Sequence, residues 1–236
     1  MPIDGPEKAV RVRKMFGRIS GRYDLMNRLM TFGQDRSWRR YVVKKAALPK
    51  GGRLLDVGTG TGDIALEALR SDPTLSVTAA DFSLRMMQVG RRRPAGQKVF
   101  WCHSDALNLP FPDAHFDAVT SGYLVRNVID VRRAFEEQMR VIRPGGLVVC
   151  LDTSPVPRNA LRPFILFHLK VVIPLLGYLL TRNKAAYTYL SKSTRAFVTP
   201  DQLASIMRSV GLKDVSYRQF MLGTMAVHTG IRPGQT

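Results

Sequence analysis

Three glycines at alternate positions, Gly58, Gly60 and Gly62, stand between an apolar run and an amphipathic one, and nothing else in the 236-residue chain restricts its fold as much. Ahead of them Arg53-Leu54-Leu55 reads as a short buried strand. Behind them Ile64-Ala65-Leu66-Glu67-Ala68-Leu69 has helical apolar spacing, so the loop lies in a strand–turn–helix context. Glycine lacks a Cβ, can take φ > 0, and lets a ligand approach bare main chain.

The same alternation continues as far as residue 152. Strands are expected over 53–57, 76–81, 98–103, 116–121 and 147–152, and helices over 62–71, 83–92 and 130–142, with Pro144-Gly145-Gly146 as the turn into the fifth strand. Strands alternating with helices imply an α/β fold whose parallel sheet is covered on both faces. A helix over 200–209, with Gly211 at its C-terminus, precedes two strands at about 214–220 and 224–230. The short connection Met221-Leu222-Gly223 pairs these two antiparallel. The expected fold is therefore a Rossmann-like, seven-stranded, mostly parallel sheet with an antiparallel last strand, the class I methyltransferase arrangement. That final step is analogy with a fold family.

In such sheets ligands bind at the C-terminal strand ends. This brings the glycine loop, Asp81 with Phe82, Asp105 with Ala106, and the segment from Ser121 to Asn127 to one rim. The glycine spacing bears on the ligand. A dinucleotide fingerprint runs G-x-G-x-x-G with pyrophosphate on the helix N-terminus, whereas this loop runs Gly58-x-Gly60-x-Gly62 with Asp56 and Asp63 at its ends. Two carboxylates would repel pyrophosphate and suit a cation such as the sulfonium and amino group of S-adenosylmethionine. A nucleotide phosphate site and a purely structural glycine turn are the other readings. Asp81, about 20 residues beyond the glycines, is placed to take both hydroxyls of a ribose. Asp105 can accept from an adenine amino group while the backbone at Ala106 packs the ring; its alternative is an Asp capping a turn. Ser121 and Gly122 follow the fourth strand, over the position of the methyl group. Arg126 and Asn127 can orient a phenolate or carbonyl through charge-assisted hydrogen bonds, or else simply begin a surface helix.

Composition narrows the setting. Lys and Arg number 36 against 18 Asp and Glu, a formal charge of +18. That excess favours polyanions such as an anionic membrane or nucleic acid. Clusters at Arg11-Val12-Arg13-Lys14, Arg36-Ser37-Trp38-Arg39-Arg40 and Lys44-Lys45 suggest a basic face near the N-terminus, and a generally basic soluble protein is the plainer reading. The two cysteines, Cys102 and Cys150, sit in strand-like apolar runs without metal-ligand spacing. No metal is expected, and the cysteines fit a reducing cytosol. The first seven residues carry no apolar signal-peptide core. The expected location is cytoplasmic, peripheral at the inner face of the cell membrane.

Two segments stand outside the sheet pattern of one expected domain: a basic helical lid over 7–47 and a helical insertion over 157–198. The insertion holds the most apolar stretch, 163–180. Its length approaches a span, but His168, Lys170, Pro174 and Gly177 speak against one. A buried helix pair lining a pocket and a membrane-contacting surface remain, and either suits an apolar substrate.

Several motifs beyond the glycine loop together resemble the ubiquinone/menaquinone biosynthesis C-methyltransferases. They are Tyr23-Asp24-Leu25-Met26-Asn27 after Phe16, then Gly33 through Trp38, Leu109-Pro110-Phe111-Pro112-Asp113, Arg126-Asn127-Val128, and Tyr187-Thr188-Tyr189-Leu190. The resemblance runs over nearly the whole chain. It implies methylation of a ring carbon on a polyprenyl naphthoquinol or benzoquinol. Thr61, Asp81, Asp105 and Ala106 match positions that hold S-adenosylmethionine in that family. Tyr23 and Asp24 would fold over the cofactor, while Arg126 and Asn127 would face the quinol. An arginine stays protonated at ordinary pH, so Arg126 is expected to stabilise a developing phenolate. Gly122, Tyr123-Leu124-Val125 and Asp152-Thr153-Ser154 depart from the family pattern around the acceptor. Partners expected are thus a polyprenyl quinol, an anionic membrane surface and no specific nucleic acid, with a homodimer left open. A methyltransferase acting on a phospholipid or another apolar molecule is the nearest rival. An RNA-binding protein that keeps the fold is a more distant one, since no RNA-binding module is recognisable.

Overall fold

A computed structural model describes residues 6–181, 189, 193, 194 and 197–234. Helices α1 (Pro6–Met30) and α2 (Asp35–Lys45) precede the sheet. Then come β1 (Arg53–Val57), α3 (Asp63–Ser71), β2 (Ser76–Asp81), α4 (Leu84–Arg91), β3 (Phe100–His103), β4 (Phe116–Gly122), α5 (Val131–Val141) and β5 (Ile142–Thr153). Helices α6 (Arg162–Phe167) and α7 (Ile173–Thr181) are joined by a π-helical turn, His168–Val172. The chain closes with α8 (Pro200–Ser209), β6 (Lys213–Phe220) and β7 (Met225–Ile231).

The sheet order is β3-β2-β1-β4-β5-β7-β6, with β7 antiparallel to both its neighbours. Leu54 to Val57 are all buried, as a continuous apolar run in a parallel central strand must be. The chain winds outward from β1 through β2 and β3 and then returns to place β4 on β1's other side. Val57 pairs with Ser121 there, so the crevice where the winding reverses opens over the glycine loop.

Two boundaries differ from expectation. Residues 144–146 do not end a turn outside the sheet. Phe116 pairs with Ile142 and Ala118 with Leu147, so the Pro-Gly-Gly sequence is a bulge within β5. The third strand begins at Phe100 because Pro94–Lys98 form a 3-10 turn. Helix ends carry the expected chemistry. Asp130 accepts from the Arg133 backbone N–H, and Thr199 with Gln202 forms a reciprocal capping box, features worth about 1 kcal/mol each.

The flanking helices are attached by apolar burial. Trp38, Val42 and Val43 of α2 join the core on one face of the sheet. Ile19 and Met26 of α1 pack against Ile165, Leu169 and Ile173, residues spaced four apart along the insertion. The run Arg162–Leu180 has the length and composition of a membrane-spanning helix, yet one side of it is buried with α1 while Phe164, Phe167, Val171, Leu175, Tyr178 and Leu179 are exposed. Residues 182–188, where Tyr187 falls, and 190–192 lie outside the described residues.

Candidate active site

Main chain turned outward by glycine forms the base of the first cavity. Gly58 and Gly60 take φ of +67° and +59°, a region that L side chains adopt only with strain. Both line the cavity, and a Cβ on Gly58 would stand 2.7 Å from Leu124 Cδ1. Asp81, at the end of β2, holds the loop: its Oδ2 accepts from Gly60 N at 2.7 Å and its Oδ1 from Ser83 N at 2.7 Å. Burial raises its pKa above the usual carboxylate range, and those backbone donors work against the rise. Each carboxylate oxygen keeps a further lone pair, so Asp81 can also take vicinal hydroxyls from the cavity. Phe82 stacks on His103 with centroids 6.0 Å apart, and Asp105 and Ala106 complete that end. Asp105 Oδ1 accepts from Leu107 N at 2.9 Å, closing its own turn while the residue stays exposed.

Asp56 sits beneath the loop, accepting from Thr59 Oγ1 at 2.6 Å and Thr120 Oγ1 at 2.9 Å. Burial outweighs these bonds and pushes its pKa up to about 6. Asp63 behaves differently from the sequence expectation. It is paired with Arg39 at 2.7 Å and Arg93 at 2.6 Å, so its charge is already answered by the protein.

Three other expected cofactor residues do not line the cavity. Ser121 is fully buried within β4, because a central strand covered on both faces hides either parity of side chain. Gly62 caps α3, and its missing Cβ makes room for the Trp101 ring, 2.5 Å from where that atom would lie. Asp24 accepts from Thr61 Oγ1 at 2.7 Å, joining α1 to the loop. Burial, then the charge of Asp63, raises the Asp24 pKa. Thr61 and Gly122 do line the cavity, as do Tyr23 and Asn127.

A second cavity adjoins the first, and Asn27 and Tyr123 line both. Its wall is apolar: Met30, Phe164, Ile165, Leu169, Ile173 and Met225 among others. Arg126 lines this cavity rather than the first. Its guanidinium is buried on Asp152, NH1 to Oδ1 at 2.5 Å, and lies 5.0 Å from the centre of the Tyr123 ring. Burial opposes the Arg126 charge, but Asp152 outweighs it, and the group is held more firmly protonated than usual. Asn127 donates Nδ2–H to Tyr123 O at 2.7 Å and accepts from the Tyr189 hydroxyl at 3.3 Å. Tyr123 adopts φ of +58°, the kind of backbone strain that collects at functional sites.

Sequence reasoning missed several of these groups. Arg39 was grouped with a basic surface cluster but is buried between Asp35 and Asp63 and lines the first cavity. Its i,i+4 spacing from Asp35 was the available signal. Asn27 was noted only as part of a motif, and the Arg126–Asp152 pair joins residues that no local pattern connects.

Among solved structures, a SAM-dependent methyltransferase from Thermotoga maritima superposes with a TM-score of 0.65 at 21% identity, over 94% of this chain and 99% of that one. A sheet of this order, with a glycine loop and β2 carboxylate at its switch point, is the fold of the class I S-adenosylmethionine-dependent methyltransferases. The profile of the ubiE/COQ5 methyltransferase family matches residues 6–232. The ubiquinone/menaquinone biosynthesis C-methyltransferase UbiE of Desulfotalea psychrophila is 49% identical over 225 residues, 95% of this chain and 92% of the relative. The demethylmenaquinone methyltransferase of Roseiflexus castenholzii is 45% identical over 97% of this chain and 96% of the relative. The chain belongs to the ubiE/COQ5 methyltransferase family.

Proposed function

We propose that this enzyme methylates a ring carbon of a polyprenyl quinol, converting demethylmenaquinol to menaquinol, with the benzoquinol counterpart as the related acceptor. The observation that carries this reading is the pair of cavities joined at Asn27 and Tyr123, one glycine-floored and edged by the carboxylates of Asp56, Asp81 and Asp105, the other apolar with the buried cation Arg126 in its wall. S-adenosylmethionine, when bound, supplies an electrophilic methyl whose bond to sulfur breaks, the electron pair staying on sulfur, as the acceptor carbon bonds to it. Gly58 and Gly60 fit that cofactor because their positive φ turns main chain toward the cavity, where a Cβ would meet Leu124 at the first position and Met86 at the second. In this reading Asp81 takes its ribose hydroxyls, Asp105 and Ala106 its adenine, and Asp56 faces its cationic part. Helices α1 and α2 act as the lid, held to the loop by Asp24–Thr61 and Arg39–Asp63.

Arg126 neutralises negative charge on the quinol oxygen as the neighbouring carbon becomes nucleophilic, an electrostatic contribution of several kcal/mol in a site with little water. The ring carbon then loses its proton, restoring aromaticity, so each turnover releases one H⁺. The Tyr123 ring and Asn127 restrict the acceptor to the junction between donor and cation.

The isoprenoid tail would leave through the mouth of the second cavity. Phe32, Phe164 and Leu222 line that cavity and are also 74%, 73% and 61% exposed. Large apolar side chains at an open mouth, with exposed Arg158, Arg162 and Lys170 nearby in sequence, suit an anionic lipid surface. Purified protein with labelled S-adenosylmethionine and demethylmenaquinol should yield labelled menaquinol. Label appearing only in phosphatidylethanolamine derivatives would overturn the acceptor. Flotation with anionic vesicles, weakened by Phe164→Ser, tests the lipid surface; equal flotation of both proteins would count against it.

A further inference from the structure

Two residues in the wall of the apolar cavity carry buried polar atoms that make no hydrogen bond among the described residues. Most of its polar side chains are satisfied: Thr31 Oγ1 donates to Asn27 O at 2.8 Å, Thr224 Oγ1 to Met221 O at 2.8 Å, and His168 Nε2 lies 3.1 Å from Met30 O. Arg126 Nε and Thr153 Oγ1 are the exceptions. Both line the cavity, both atoms are buried, and neither has a hydrogen-bond partner among the described residues. Asn27 Nδ2 is likewise without a partner among the described residues, but Asn27 stands at the junction with the first cavity.

The two exceptions are mechanically linked. Asp152 Oδ1 accepts both from Arg126 NH1, at 2.5 Å, and from the Thr153 backbone N–H, at 2.7 Å. Asp152 Oδ2 accepts the Arg126 backbone N–H at 3.2 Å. One carboxylate therefore sets the position of the guanidinium and of the residue that carries the free hydroxyl. Arg Nε–H can only donate, so its missing partner is an acceptor atom, whereas a threonine hydroxyl can donate or accept. Leaving a buried donor unpaired is costly, and an apolar residue at 153 would avoid the cost. An oxygen carried by the ligand would satisfy both groups once the Arg126 and Thr153 side chains turn Nε–H and Oγ1 toward the cavity, since both atoms are closed to a water-sized contact as the structure stands.

We infer that Thr153 is a binding residue for an oxygen substituent of the acceptor ring, acting beside Arg126 Nε–H and selecting hydroxylated rings over purely apolar ones. This rests on the proposal that the acceptor occupies the second cavity. A site that hydrogen-bonds a substrate hydroxyl rejects analogues lacking it far more strongly than a greasy pocket rejects a change of size. The oxygen contact, rather than the apolar wall, then chooses the ring, while the wall accepts tails of varied length.

The test compares wild type, Thr153→Val, Thr153→Ser and Met30→Trp, using demethylmenaquinol with a short tail as the acceptor. Each protein is checked for melting temperature, alone and with S-adenosylmethionine. Thr153→Val keeps the shape and removes the hydroxyl. It should lower kcat/KM for the acceptor about tenfold or more, leave KM for S-adenosylmethionine within about twofold, and leave the melting temperature unchanged or raised, because an unpaired buried group has gone. Thr153→Ser should recover most of the activity. Met30→Trp should fill the second cavity and abolish turnover while keeping its cofactor-induced thermal shift. Turnover lost in Met30→Trp but unchanged in Thr153→Val overturns the role of Thr153 alone. Wild-type turnover in Met30→Trp overturns the cavity assignment and this inference with it. A Thr153→Val defect that comes with a lower melting temperature, and that Thr153→Ser shares in full, marks a merely structural residue and also overturns the inference.

Discussion

Asp56→Asn should make the ligand-free protein more stable at neutral pH, although it changes a residue at the base of the active site. In the fold Asp56 is buried, and its pKa is raised from 3.8 to about 6. The native state thus binds the proton more tightly than the unfolded chain does. The stability this confers is fully present below about pH 4 and is lost as pH rises through about 6. At pH 7.5 the ionised side chain costs the empty enzyme about 3 kcal/mol relative to a protonated one. Asparagine cannot ionise, and the hydroxyls of Thr59 and Thr120 can turn to meet an amide. Some of the gain is offset by the new N–H groups, on the order of 1 kcal/mol. The difference between the variant and wild type is free of that offset when followed against pH. It should move in the variant's favour by about 2 kcal/mol between pH 4.5 and pH 7.5, about 4–8 °C in Tm for a chain of this length. Urea unfolding at a series of pH values, without ligand, measures it. A stability difference that stays constant with pH, or moves toward wild type as pH rises, would refute the reasoning. The same carboxylate should favour a cationic ligand, so S-adenosylmethionine should bind Asp56→Asn more weakly and bind wild type less well below about pH 6.

Gly58→Ala places a Cβ 2.7 Å from Leu124 Cδ1 at a φ of +67°; it should cost about 1–2 kcal/mol in stability and weaken cofactor binding by calorimetry, with Leu124→Ala restoring part of the binding. Arg39→Met removes the cation buried between Asp35 and Asp63, and a loss of about 3 kcal/mol or more is expected in thermal unfolding; an unchanged Tm would show the pair to be incidental. Arg126→Gln should lower kcat by about 10²–10³ while cofactor affinity, read by calorimetry, stays near wild type. A defect confined to KM would instead make Arg126 a binding group only.

The strands and helices between Arg53 and Thr153 were legible because period-2, period-3.6 and continuous apolar patterns are local properties of the chain. Glycine at 58 and 60 was legible for a related reason: a backbone conformation that other residues resist leaves its mark on the residue type. The motifs around Tyr23, Arg126 and Tyr189 likewise identified a family before any contact was known.

Direction and partnership were another matter. Ser121 and Gly62 belong to the right segments, yet one is enclosed in a doubly covered strand and the other yields space to Trp101. Arg39 has the composition of a surface cation and the position of a buried one, since only the packing of α2 beside α3 brings Asp63 within reach. The sequence by itself determined the alternating α/β framework, the glycine floor and the family. Tertiary structure alone decided that Asp63 is neutralised while Asp56 is not, that Arg126 is held by Asp152, and that two cavities meet at Tyr123. Backbone periodicity is written in neighbouring residues, but burial, charge pairing and cavity walls arise from groups that meet only after the sheet has brought distant strand ends together.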